Sequence, residues 1–324
     1  MKLNGLSVTS YLGALAQLIR LPNVLIIVLT QLLLRYCIIN PFIYGREPGA
    51  ISLLPDFLIL VLATMLIAIG GYVINDYFDV KIDSVNRPDK LVINKVINAR
   101  TAIKVHMILN GVAMLLGFYL AYRVKAITFG FLFPFISGLL WIYSAKYKRM
   151  IFWGNFIVAA TTAFIILVVW LFEFFWLRLH ASLFANEIPE INWVTSVFAG
   201  YAVFAFIISL VRELVKDMED TEGDKSIGSK TIPLVFGISR TRYLVASIVV
   251  SGLVLLVYVQ LILYRLDLMM LFWYFLIAIQ LPFVYFLIKL FGSREKQNYH
   301  FLSSLCELII LTGILSMEVL FISN

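Results

Sequence analysis

Charged residues are scarce in this chain of 324 residues. They make up 14% of the sequence, whereas about 25% is typical of globular proteins. Hydrophobic residues make up 62% and the mean hydropathy is +0.95, which excludes an ordinary soluble protein. The apolar residues cluster in runs of about 20, the length that crosses a roughly 30 Å hydrocarbon core as a helix. The composition therefore predicts a polytopic α-helical membrane protein.

Cysteine and histidine are also rare. The two cysteines, Cys37 and Cys306, lie in apolar segments without metal-ligand spacing, so we interpret them as small buried hydrophobes. None of the three histidines, His106, His180 and His300, has a ligand partner one helical turn away, and we expect plain interfacial positions for them. The first ten residues lack the features of a signal peptide, so no removable leader is expected.

The hydropathy pattern predicts nine membrane spans in one polytopic domain, 1–324. Their expected bounds are about 20–39, 55–75, 102–122, 126–144, 151–172, 194–214, 242–263, 268–290 and 303–322. Glu307 and Glu318 fall inside the last span, where acids are costly, so we expect them to pair within the protein. Pro134 and Pro282 are expected to kink the spans that contain them.

The net charge of +7 is distributed unevenly between the loops. With a cytoplasmic N-terminus, most of the 26 Lys and Arg residues fall on the cytoplasmic side, as the positive-inside rule requires. We therefore expect a multi-pass protein of the inner or plasma membrane. Because membrane topology explains the basic excess, no nucleic-acid partner is expected; the surrounding lipids are the expected environment.

An acidic pattern, Asp-x-x-Asp-x-x-x-Asp, occurs twice, each time where an apolar run meets a basic loop. The first copy is Asp76, Asp79 and Asp83, and the second is Asp217, Asp220 and Asp224. Each residue of the second copy follows its counterpart by the same number of positions. This offset favours a pseudo-repeat of 18–144 and 151–290, with a last helix at 303–322. The topology places both motifs on the cytoplasmic face.

Steps of three and four residues return to the same helix face, so each trio occupies an arc of about 60–80°. With Asn75 included, the first arc widens to about 100°. On a continuous helix Glu219 and Glu222 face away into solvent. Gly223 is a possible end of that helix. Clustered carboxylates at a membrane boundary repel each other, and all-oxygen ligands suit hard Mg²⁺. The two motifs therefore predict a shared site in which Mg²⁺ holds a diphosphate.

Basic residues follow each acidic motif. Arg87 and Lys90 lie in the first loop, and Lys225 and Lys230 lie in the second. They are candidates for phosphate contacts, and the alternative is that they are topology charges only. The polar segment 226–231 is expected to cover bound phosphates.

These residues resemble the UbiA-type intramembrane prenyltransferases. The first signature of that family, Asn-Asp-x-x-Asp-x-x-x-Asp, is matched from Asn75 to Asp83 and is followed by Asn86-Arg87-Pro88. Its second is matched at Asp220 and Asp224, with Gly228 and Lys230-Thr231 after them. Arg20-Leu21-Pro22-Asn23 and Tyr143-Ser144-Ala145-Lys146 are also similar, so the resemblance covers about residues 18–322.

The resemblance implies a bundle of nine transmembrane helices around a central cavity, which transfers a prenyl group from a polyprenyl diphosphate to an acceptor with Mg²⁺. The metal ligands would be Asn75, Asp76, Asp79, Asp83, Asp217, Asp220 and Asp224, of which Asp79 and Asp220 are assigned as catalytic. The diphosphate and substrate contacts would be Arg87, Lys90, Lys146, Lys225 and Lys230. Tyr72 and Tyr143 are candidates to stabilise an allylic cation, with ordinary packing as the alternative.

The acceptor stays open between two branches of the family. The run from Asn75 to Lys90 favours geranylgeranylglyceryl phosphate as the acceptor, and 4-hydroxybenzoate or 1,4-dihydroxy-2-naphthoate is the alternative. After Pro88 the chain lacks the Pro and Gly residues that many members have, which affects loop geometry and acceptor choice. A polyprenyl diphosphate phosphatase would need the same diphosphate grip but usually an added nucleophile. A divalent-cation transporter would keep its acidic path free of cations.

Overall fold

The computed structural model describes residues 2–3, 6–45, 54–86, 91–226 and 228–323. Apart from one short antiparallel pair of strands, β1 (Lys2–Leu3) and β2 (Leu6–Ser7), its regular elements are helices. Long apolar runs form helices in a membrane because every backbone polar group must be bonded within the protein. The α-helices are α1 (Val8–Leu18), α2 (Leu21–Leu33), α3 (Asn40–Ile43), α4 (Leu54–Asn86), α5 (Ala99–Arg123), α6 (Ile127–Gly130), α7 (Leu132–Ala145), α8 (Trp153–Leu177), α9 (Ala181–Asn186), α10 (Ile188–Glu219), α11 (Thr221–Ser226), α12 (Ile232–Phe236), α13 (Ile238–Arg265), α14 (Met269–Phe275), α15 (Leu281–Gly292) and α16 (Lys296–Ser323).

The prediction of nine spans is confirmed for the described residues. Nine helical segments are long and apolar enough to cross a membrane: Leu21–Ile43, Leu54–Lys81, Ala99–Arg123, Ile127–Ala145, Trp153–Leu177, Ile188–Glu219, Ile238–Arg265, Met269–Gly292 and Lys296–Ser323. The fold is thus that of an all-α, multi-pass integral membrane protein. The central cavity, the single domain and the pseudo-repeat stay predictions.

Two spans contain a π-helical turn just before a proline. Leu34–Ile39 precedes Pro41, and Leu276–Gln280 precedes Pro282. At the end of each turn a backbone N–H reaches five residues back: from Asn40 to the carbonyl of Arg35, and from Leu281 to that of Leu276. Proline lacks an N–H and crowds the preceding turn, so a wider turn relieves the clash. The kink expected at Pro282 is thus a π-helical turn. Near Pro134 the helix is interrupted at Phe131, between α6 and α7.

Residue contacts divide the chain into two compact units. The first comprises the described parts of 1–29, 49–148 and 171–181. In this unit α4 packs mainly against α5 and α7. The approach of α4 to α5 is close at Gly70, because a Cβ added there would lie 2.3 Å from Nδ2 of Asn110. His106 has Nδ1 2.8 Å from the carbonyl oxygen of Gly70 and is buried. His106 thus packs between α4 and α5, and its expected interfacial position stays a prediction.

The second unit comprises the described parts of 30–48, 149–170 and 182–324. In it α10 packs mainly against α16 and α13. Arg212 of α10 forms an ion pair with Glu307 of α16, which confirms the expected pairing of Glu307. Glu318 is exposed in the described structure, and its expected pairing stays a prediction.

The ends of α4 and α10 differ from the prediction. Helix α4 continues to Asn86, well past the predicted end of its span at 75, and carries the whole first motif. Helix α10 ends at Glu219, before Gly223, so the expected continuous helix through the second motif is wrong. The break occurs at Asp220, whose carbonyl accepts the N–H of Asp224 and so starts α11. Aspartate is a favoured residue at a helix start, which explains this position.

Candidate functional site

The first acidic motif lies on the last turns of α4. Asn75 and Asp79 are buried, with 8% and 3% of their surface exposed, while Asp76 and Asp83 are half-buried. A carboxylate this buried is costly unless it is paired. The partners of this motif therefore determine its chemistry.

Lys148 supplies the charge that pairs with Asp79. It lies on the 3₁₀ turn Tyr147–Arg149, directly after α7. Its Nζ contacts Oδ2 of Asp79 and lies 3.4 Å from Oδ1 of Asn75. Sequence reasoning missed this residue and selected Lys146, which is exposed at the end of α7. The basic cluster at 146–149 was the available signal, but only the 3₁₀ turn determines which lysine faces the motif.

Arg20 binds the neighbouring aspartate. Its NH2 donates to Oδ1 of Asp76 at 3.1 Å, and its guanidinium lies 4.9 Å from the ring centre of Tyr72. Burial alone would lower the pKa of the Arg20 guanidinium, but Asp76 and Tyr72 together outweigh it and raise that pKa. Arg20 connects α1 to α2 with φ of 50°, a left-handed conformation that is uncommon outside glycine and concentrates at functional sites.

The donor atoms of the first motif fit a hard cation. Oδ1 of Asp79 is buried and has no hydrogen-bond partner among the described residues. The surrounding donors are carboxylate and amide oxygens, the ligands that Mg²⁺ prefers. Arg20 and Lys148 neutralise these carboxylates in the structure, and within its described parts no three His, Cys, Asp or Glu side chains converge as a metal centre.

The second motif is divided between two helices. Asp217 lies in the last turn of α10, where Nδ2 of Asn155 on α8 donates to its Oδ2 at 2.8 Å. Asp220 occupies the break and Asp224 lies in α11. Glu219 is buried and contacts His300, so the expectation that it faces solvent is wrong; Glu222 is exposed as predicted. Sequence reasoning did not identify Asn155 or the role of His300, because neither lies near a motif.

Two backbone amides of the polar segment after the second motif are already hydrogen-bonded within the protein. The N–H of Ser229 donates to the carbonyl of Asp224, and that of Lys230 donates to the carbonyl of Arg149, each at 3.0 Å. These two amides are therefore engaged, and contacts from this segment to a phosphate would come mainly from side chains. Lys225 and Lys230 are exposed and available for that role. Arg87 and Lys90 lie outside the described residues.

Comparison with known proteins identifies a family. Residues 41–305 match the sequence profile described as the UbiA prenyltransferase family. A digeranylgeranylglyceryl phosphate synthase of Thermococcus gammatolerans is 31% identical over 200 residues, which make up 61% of this chain and 64% of that protein. The chain thus spans less than two thirds of the length of this relative and of similar ones from other archaea.

Solved structures share the fold. A structure described as digeranylgeranylglyceryl phosphate synthase in membranes superposes with a TM-score of 0.61 at 21% identity, over 95% of this chain and 99% of that one. A UbiA homologue from Archaeoglobus fulgidus, bound to DMAPP and Mg²⁺, superposes with a TM-score of 0.55 at 16% identity, over 94% and 99%.

Proposed function

The chain belongs to the UbiA prenyltransferase family, and from that premise we propose that it transfers a prenyl group from a polyprenyl diphosphate to a lipid or aromatic acceptor. The observation that carries the proposal is the buried pair of Asp79 with Lys148, next to the pair of Asp76 with Arg20. Carboxylates suited to a metal and cations suited to phosphate lie together there, as binding of a metal diphosphate requires.

The ligands proposed for Mg²⁺ are the two acidic sets, Asn75, Asp76, Asp79 and Asp83 with Asp217, Asp220 and Asp224. Bound there, Mg²⁺ would neutralise the diphosphate and so stabilise its departure. We assign the catalytic roles to Asp79 and Asp220. The proposal that both sets bind one diphosphate rests on their matching spacing and oxygen chemistry. The bound metal and diphosphate in a UbiA homologue add support, as a property of that protein.

The cations of the chain would bind the phosphates. Lys148 and Arg20 already contact the carboxylates, so each can transfer its hydrogen bonds to a diphosphate oxygen. Arg20 has a planar fork that suits phosphate, and Lys148 contributes a compact charge. The loop cations Arg87, Lys90, Lys146, Lys225 and Lys230 complete the proposed set.

The reaction is a substitution at the first carbon of the prenyl chain. The bond from that carbon to the diphosphate oxygen breaks, and both electrons leave with the diphosphate. A hydroxyl oxygen or an electron-rich ring carbon of the acceptor forms the new bond to the same carbon and then loses its proton. The protein contributes by aligning the partners and by stabilising charge on the leaving group.

Two further features belong to the proposal. Both motifs would face the cytoplasm, because the basic loops follow the positive-inside rule. The favoured acceptor is geranylgeranylglyceryl phosphate, since relatives about 30% identical are named digeranylgeranylglyceryl phosphate synthase. A quinone precursor, either 4-hydroxybenzoate or 1,4-dihydroxy-2-naphthoate, is the alternative acceptor.

An acceptor panel tests the proposal. Purified protein is incubated with Mg²⁺, labelled geranylgeranyl diphosphate and each of the three acceptors in turn. We expect a lipid-soluble ether product with geranylgeranylglyceryl phosphate, and none when the metal is chelated. Product with a quinone precursor alone would move the assignment to that branch. Release of diphosphate without any prenylated acceptor would indicate a phosphatase instead.

A further inference from the structure

The C-terminal end of α10, the helix that carries Asp217, contacts the last membrane helix, α16. Glu219, the final residue of α10, has 8% of its surface exposed, and its Oε1 lies 3.1 Å from Nδ1 of His300 on α16. Asp220, which ends the helix, is the next residue. The contact therefore acts one peptide bond away from a proposed metal ligand.

A second contact, an ion pair, joins the same two helices two turns further from the end of α10. Arg212 of α10 contacts Glu307 of α16. Glu219 follows Arg212 by seven residues, and Glu307 follows His300 by seven. Seven residues are close to two helical turns, so both contacts lie on one face of each helix and run antiparallel. The two contacts thus fix both the rotation and the axial position of α10 against α16.

The contact between Glu219 and His300 lies on the side of α10 opposite to the side that would bind metal. Glu219 is about 200° around the helix from Asp217 at the ideal helical rotation. Asp217 is held separately, by Asn155 on α8. The last turn of α10 is therefore held by two neighbouring helices through different side chains. Helix ends fray unless they are fastened, and ligand side chains must be held to about 0.5 Å to form a working metal site.

We infer that His300 and Glu219 are positioning residues for the second aspartate motif, and that α16 holds the end of α10 at the place where Asp220 leaves the helix. The inference rests on the proposed function, because it takes Asp217 and Asp220 as ligands of Mg²⁺. Neither positioning residue needs to touch the substrate. Their effect is expected in metal affinity rather than in the reaction chemistry.

The test compares His300 variants of the full chain in lipid nanodiscs. His300→Ala removes the contact, whereas His300→Asn keeps an N–H near the position of Nδ1, and His300→Gln keeps one only near Nε2. Tyr201→Phe is the matched control, because it removes a 2.8 Å hydroxyl contact to Ser316 between the same two helices. Glu219→Gln serves as a second probe of the same contact if His300→Ala yields no folded protein.

Each variant is titrated with Mg²⁺ in the presence of a thiolodiphosphate analogue of geranylgeranyl diphosphate, and the rise in unfolding temperature is measured. The readout is the Mg²⁺ concentration that gives half of the maximal rise. We expect His300→Ala to raise it about threefold or more, less than the ~10–100-fold typical for a group bonded directly to a metal ligand. His300→Asn should restore the wild-type value, and Tyr201→Phe should not change it.

Two results overturn the inference. One is an unchanged Mg²⁺ requirement in both His300→Ala and Glu219→Gln, and the other is an equal shift in His300→Ala and Tyr201→Phe. Failure of the proposed function is distinguishable from either. In that case the wild-type protein itself would gain no stability from Mg²⁺ and the analogue, and no prenyl transfer would be detected.

Discussion

Nδ2 of Asn155 donates a hydrogen bond of 2.8 Å to Oδ2 of Asp217, across the contact between α8 and α10. Asn155 is buried, with 6% of its surface exposed. One oxygen of Asp217 is thereby fixed by a neutral donor, and under the proposed function Asp217 is also a ligand of Mg²⁺. An outer partner of this kind orients a metal ligand without taking part in the chemistry.

Removing that donor should weaken metal binding. We expect Asn155→Ala to raise the Mg²⁺ concentration for half-maximal transfer by about tenfold or more, because outer partners typically contribute ~10–100-fold. Asn155→Asp should raise this Mg²⁺ concentration further, since it places a second carboxylate against Asp217. Titration of transfer activity with Mg²⁺ measures both. Ser209→Ala is the control, because it removes a 3.2 Å hydroxyl contact to Thr162 elsewhere along these helices.

Replacing Lys148 should lower the transfer activity more than replacing Lys146. Lys148→Ala leaves the buried Asp79 without its cation and removes a proposed phosphate contact, so kcat/KM should fall by about 100-fold. Lys148→Arg should recover part of the lost kcat/KM, since the positive charge is kept. Lys146→Ala should cause a smaller loss because that side chain is exposed. Steady-state kinetics with varied diphosphate donor measure these effects, and equal losses at the two lysines would contradict the assignment.

The Arg20 side chain should act through its shape as well as its charge. It contacts Asp76 and lies over the ring of Tyr72. We expect Arg20→Lys to retain only part of the activity, because an ammonium cannot reproduce the planar stacking of a guanidinium. Tyr72→Phe should stay near wild type, since it keeps the ring face. Measured KM for the donor should rise in Arg20→Ala, and an unchanged KM would exclude a diphosphate contact.

Gly70 should be intolerant of a side chain. A Cβ there would lie 2.3 Å from Nδ2 of Asn110, so Gly70→Ala should destabilise the protein by about 1–3 kcal/mol. Gly138→Ala is the matched control, because nothing lies within 4 Å of its added Cβ. Adding Asn110→Ala to Gly70→Ala should restore part of the loss in a thermal unfolding measurement. Equal stability of the two glycine variants would show that α4 and α5 are not closely packed.

The hydropathy pattern of the sequence was sufficient to predict the membrane spans, because a bilayer requires long, apolar helices whose backbone groups are hydrogen-bonded internally. It failed at the end of α10, where Asp220 favours the start of a new helix over continuation of the old one. A helical wheel correctly places Glu219 on the face opposite Asp217, but it cannot show that α16 covers that face. The structure instead buries Glu219 against His300.

The first motif was predictable as a set, but its partners were not. Asn75, Asp76, Asp79 and Asp83 are close in sequence and lie on one helix, so their spacing alone predicts a shared face. Lys148 and Arg20 reach that face from other parts of the chain, and such long-range contacts follow from packing. The same holds for Asn155 and Asp217.

The central claim is that the two aspartate motifs serve one Mg²⁺-dependent prenyl transfer. Its most direct test is the single-turnover rate of labelled geranylgeranyl transfer in Asp79→Asn, Asp220→Asn and the double variant. We predict that each single change lowers the rate by about 10²–10³-fold, and that the double variant is little worse than either, because groups acting as a unit are not additive. Wild-type rates in the single variants, or losses that multiply in the double variant, would contradict it.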